Sequence, residues 1–226
     1  MSLTIDRVRR IGGLTGILFV VAGIVALVLP GTPPKADEVA KIGSYFLDKR
    51  SDLLASSYVV GIAFMLFLLF AGALRTYLVA EQRDGLRPGA GMLVGAAAAA
   101  TLVLGGTAVL NGAVFQVAGA RDANLNHALY DVANGLFLMG GFGFAVFFLG
   151  AAVTIASTAV LPSALAPAAA LVGVLNAVAG VALFAKSGFF AIGGAFGFIV
   201  PALSLLWVLA ASLAMLRSTA PARAAP

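Results

Sequence analysis

A chain of 226 residues that is 62% hydrophobic and only 10% charged, with a mean hydropathy of +1.07, lies far from the half-apolar, quarter-charged balance of a soluble domain. Its formal charge of +5 comes from 14 Lys and Arg spread along the flanks of apolar runs, which argues against a nucleic-acid surface and leaves the lipid bilayer as the partner. With no cysteine and one histidine, disulfides, thiolate sites and multi-histidine metal centres are excluded, and no phosphate loop or serine triad calls for a cofactor.

A span needs about 20 apolar residues to cross a hydrocarbon core of about 30 Å. Six such runs fit, so the expected fold is all-α: a polytopic membrane helix bundle, a single integral domain over 1–226. The first run, 11–29, follows Arg7, Arg9 and Arg10 and is ended by Pro30 and Gly31. It is longer than the roughly 7–15 residues of a signal-peptide core and no A-x-A site follows, so it reads as a retained helix.

The connection 30–52 is the longest and most charged. Asp37 and Glu38 suit the first turn of a helix. Val39, Ile42 and Phe46 recur at helical spacing, with Lys41, Asp48 and Lys49 on other faces. A short amphipathic helix is expected, either lying on the membrane surface or forming a solvated elbow. Span two is read over 53–78, with Arg75 reaching the headgroups.

Span three, over 90–117, opens with Gly91, Gly95 and a run of alanines. Small residues at that spacing permit close helix approach and place span three at the crowded centre. Spans four, five and six follow over 127–153, 164–184 and 192–216, the last carrying Pro201 as a kink. Counting Lys and Arg in alternate connections gives eight against six, with the amino terminus and tail on the richer side. By the positive-inside rule both termini are expected in the cytoplasm, across a bacterial plasma membrane.

Asp131 is the one acid inside an apolar span, where a charge is costly unless paired, hydrated or protonated. His127 and Asp131 are four residues apart, as are Tyr130 and Asn134, so each pair shares a helix face. At 1.5 Å of rise per residue, Asn111, Asn134 and Asn176 are expected about 10–12 Å below one surface, with Gln116 near the mouth. These seven residues are the candidate ligand-binding set, and Asp131 is also the candidate catalytic acid. Two readings stay open: interhelical glue, or an outward-facing polar pocket around Asp131. Trp207, inside span six, has no account at this level.

The segments GSYFLDKRSDLL before span two, ALYDVANGLF opening span four, and SGFF with GGAFGFIVP in span six resemble small actinobacterial multi-pass membrane proteins of a domain-of-unknown-function family. The resemblance covers nearly the whole chain. It implies six helices and a plasma-membrane location, with no activity or site residues to carry over. Three functions follow as expectations. The first is binding or transport of a small lipophilic or weakly polar molecule. The second is an intramembrane enzyme on a lipid or isoprenoid substrate. The third is a non-catalytic subunit whose Gly and Ala faces meet a homo-oligomeric or membrane-complex partner.

Overall fold

The computed structural model describes residues 2–34, 38–80, 89–117, 123–158, 160–185 and 187–218. Seven α-helices make up the fold: α1 (Ser2–Val28), α2 (Val39–Asp48), α3 (Arg50–Val79), α4 (Ala90–Gly112), α5 (Ala123–Thr158), α6 (Leu165–Ala179) and α7 (Ala195–Arg217). A π turn, Ala113–Val117, extends α4, and a 3₁₀ turn, Gly180–Phe184, extends α6. All but α2 are long and apolar enough to cross a membrane. The architecture is that of a multi-pass membrane protein with six spans.

The six long helices form a closed ring in the order α1, α3, α4, α5, α6, α7 and back to α1. One end of the ring carries the start of α1 and the end of α7. The other carries α2, the π turn and the α6–α7 connection.

Ring closure depends on small residues that bring backbones together. Between α4 and α5, a Cβ on Gly143 would lie 2.4 Å from the Ala99 nitrogen, and one on Gly95 would lie 2.4 Å from that of Phe147. The expected crowding of span three is therefore present, carried by Gly95, whereas the space beside Gly91 is open. Between α1 and α7, Gly12, Gly13 and Gly16 admit Met215, Leu216 and Ser212 in the same way. Arg9 locks this seam. Its guanidinium donates to the carbonyls of Met215 (2.9 Å), Leu216 (3.0 Å) and Ser218, neutralising the acceptor-rich end of α7.

Aromatic rings fill the ring's centre toward the termini. Phe67 meets Phe147 at 5.0 Å between centroids, and Phe148 meets Trp207 at 5.2 Å, edge to face. Trp207 also donates from Nε1 to the Leu165 carbonyl at 3.0 Å. A buried indole needs such a partner, which explains a tryptophan deep inside α7.

One expectation is corrected here. The apolar face of α2 does not lie on lipid: Ile42 and Phe46 are fully buried against Leu53, Ala113, Val114 and Tyr130, so α2 caps the bundle. Arg75 folds over Gly89, where a Cβ would meet its Cγ at 2.9 Å. Its aliphatic stem thus packs on the turn that precedes α4.

Candidate functional site

Beneath α2 the ring is hollow. A cavity of about 470 Å³ is lined by residues of all seven helices and of the α6–α7 connection. Phe64, Phe144 and Phe148 form its floor, where the aromatic core begins. Its roof is Pro30, Gly31, Pro33 and Tyr45 on one side and the segment Phe190 to Gly193 on the other. That segment turns through Gly188 and Gly193, both at positive φ (+91° and +78°), a backbone region open to glycine at little cost. Among the described residues, the lining includes no Asp, Glu, Lys, Arg or His.

Polar groups in the lining are few and mostly committed. Ser56 donates to the Ala26 carbonyl, Ser57 to Leu53, Thr107 to Val103 and Ser204 to Val200, each at 2.8–2.9 Å. Tyr130 donates to the Pro34 carbonyl at 2.7 Å, and Tyr45 reaches that of Pro30 at 3.4 Å. These last two bonds tie the roof to α5 and α2. Burial, then the neighbouring Tyr130 and Asp52, push the Tyr45 phenol up to about 12, so it remains a donor at neutral pH.

The two amides differ from the hydroxyls. Asn134 donates Nδ2 to the Tyr130 carbonyl at 2.8 Å. Asn176, 5% exposed, donates Nδ2 to the Val172 carbonyl at 2.9 Å and to Ser204 Oγ at 3.0 Å. A carbonyl can only accept, so these bonds fix which way each amide faces. Both side chains line the cavity, and neither Oδ1 has a donor among the described residues. Neither is sealed away from contact, unlike Asn111 Oδ1, which is buried without a partner.

A further acceptor comes from the backbone. Pro201 has no N–H, so the Gly197 carbonyl, four residues earlier, lacks its usual helical donor. Both residues line the cavity.

Of the seven residues expected to form the site, Tyr130, Asn134 and Asn176 meet in this cavity. Asp131 and His127 do not line it. They pair with each other on α5, His127 Nε2 to Asp131 Oδ2 at 3.4 Å, with Asp131 49% exposed. Neighbouring Ala128 and Val132 are also exposed, which puts the pair on the ring's outer wall. Asn111, on α4, stands apart from the lining too, and the Gln116 side chain lies outside the described residues.

The amides form a staircase rather than one level. Helix α4 meets α5 with Gly106 beside Ala133 and Gly140 beside Val103, so Asn111 falls near the level of Tyr130, about one turn above Asn134. On α6, Asn176 lies against Gly141, about two turns below Asn134. Counting from span ends failed because α5 starts at Ala123, above the expected His127, and because the 3₁₀ turn beyond α6 rises about 2.0 Å per residue.

Ser204, which completes the Asn176 network, went unnoticed in the sequence because a serine in an apolar span ordinarily bonds back to its own helix. Only its place across from α6 distinguishes it. Comparison with family models, with curated proteins and with solved structures finds no match to this chain.

Proposed function

We propose that this chain is a plasma-membrane protein, termini cytoplasmic, that binds or transports a small lipophilic or weakly polar molecule held in the cavity beneath α2. The observation that carries the reading is a hollow of about 470 Å³, with no charged residue among its described lining, inside a closed ring of membrane-length helices. Its size falls within the roughly 300–1,000 Å³ of small-molecule sites, as does its pattern of apolar walls with a few polar groups. At about 30 Å³ per non-hydrogen group it holds on the order of 15 such atoms. The site thus centres on Asn134 and Asn176, while Asp131 and His127 belong to the outer wall near the mouth. Among the described residues the lining offers no carboxyl or imidazole, so the reading rests on binding.

Trp207 is the only tryptophan and stands directly behind the floor ring of Phe148. Titration of the protein in lipid nanodiscs with 1-bromododecane is therefore expected to quench Trp207 in a saturable manner. The cavity-filling variant Ala179→Phe is expected to abolish saturation. Quenching that rises linearly with probe in both proteins, as collision from bulk lipid would, refutes the reading.

A further inference from the structure

We infer that the cavity selects an uncharged amphiphile whose head group donates hydrogen bonds, an alcohol in the simplest case, and discriminates against acceptor-only and anionic analogues. This rests on the cavity-binding reading above and adds the chemical class of its ligand.

The side-chain polarity of the described lining leans toward acceptors. All six hydroxyls spend their protons on backbone carbonyls, and Asn176 spends both of its N–H groups on Val172 and Ser204. Asn176 is therefore left with only its Oδ1 to offer a ligand, while Asn134 offers its Oδ1 together with the one N–H that its bond to Tyr130 leaves over. The Asn176 amide is 5% exposed, so its oxygen cannot draw on bulk water as a surface group does.

A hydroxyl or amide N–H on the ligand would satisfy these oxygens. An ether or ester would bring further acceptors, leaving both sides unpaired in a low-dielectric hollow, where an unmet polar group is costly. A carboxylate would add a buried charge with no cation among the described lining residues to pair it. The acceptors also descend by about two turns from Asn134 to Asn176, so an elongated molecule can meet them in succession, with its apolar part against Phe64, Phe144 and Phe148.

The test titrates the full chain in nanodiscs with 12-bromododecan-1-ol, its O-methyl ether and 12-bromododecanoate at alkaline pH. Affinities are read from saturable quenching of Trp207 and expressed per mole fraction in lipid, which removes differences in partitioning. The alcohol is expected to bind about tenfold more tightly than the ether, the size of one buried unpaired group, and the carboxylate more weakly than either. Asn176→Leu is expected to bring the alcohol to the ether's affinity and leave the ether unchanged, and Asn134→Leu to do the same in part.

Equal, saturable affinities for alcohol and ether overturn the donor inference and leave the cavity reading standing. No saturable quenching by any of the three overturns the cavity reading itself. The alcohol–ether comparison uses the unaltered protein, so it decides the matter even where a variant does not fold.

Discussion

The two halves of the ring are built from the same helices and solve opposite problems. Toward the termini, Phe67, Phe70, Phe147, Leu74, Met92 and Met215 are fully buried, and glycine seams press the backbones together. Toward α2, the same helices stand apart around a hollow whose hydroxyls are bonded to backbone carbonyls and whose amide oxygens lack a donor among the described residues. Tight packing in one half holds the helices in place while the other half stays open. The solid half is thus the scaffold of the hollow one, as function generally is placed on rigid supports.

Substitutions that break this division should differ in size. The largest effect is expected for Gly143→Val, which would drive a side chain into the α4 backbone at Ala99. A loss of about 3 kcal/mol or more follows from overpacking against a main chain that cannot yield, read as a collapse of the monodisperse peak in detergent. Gly197→Ala, with open space around it, should be close to neutral and is the matched control.

Next comes the aromatic core against the roof. Phe147→Ala should cost about 3–5 kcal/mol, as large truncations in packed interiors do. Phe190→Ala, at a residue 39% exposed, should cost under about 1 kcal/mol. Thermal unfolding in the same detergent compares the two. Equal losses would show that the roof is as rigid as the core and would erase the contrast.

Smaller still is the roof tie. Tyr130→Phe removes the hydroxyl bond to Pro34, worth about 1 kcal/mol. It should speed hydrogen exchange in the 29–34 segment while leaving that of α4 and the aromatic half of α5 unchanged.

Alkaline titration sharpens the same point. A phenol held at about 12 in the folded chain and near its ordinary 10 when unfolded stabilises the fold fully below pH 10. That contribution is lost as pH rises from 10 toward 12. Tyr45→Phe should flatten stability over this window in denaturant titrations.

The smallest effect is expected for Asp131→Asn. Half-exposed ion pairs contribute about 0–1 kcal/mol, so stability and probe quenching should hardly move. A large loss of saturable quenching would return Asp131 to the binding site.

How far the sequence foretold this depends on which property carried the signal. Helix count, the existence of a short amphipathic helix before span two and the close approach at Gly95 were legible, because length, hydropathy and residue size are read along the chain, whereas the capping role of that helix was not. Facing was not. Helices apolar on every side have no stripe to show which way they turn, so Asp131 looked like an interior acid although its neighbours Ala128 and Val132 point outward. Arg9 looked like an orientation signal. Its grip on the carbonyls of Met215 and Leu216 in α7 and of Ser218 just beyond joins residues more than 200 positions apart, which no local pattern reveals. Trp207 needed the Leu165 carbonyl before it made sense.

The clasp between Arg9 and the end of α7 has a consequence for biogenesis. The first helix leaves the ribosome with its docking groove unoccupied, and that groove is filled only when the final helix arrives. Until then the five earlier spans form a trough open sideways to lipid, and the hollow is a furrow rather than a chamber. Nascent chains halted before residue 195 should therefore expose the future cavity to acyl tails, and completion of the last span should expel them.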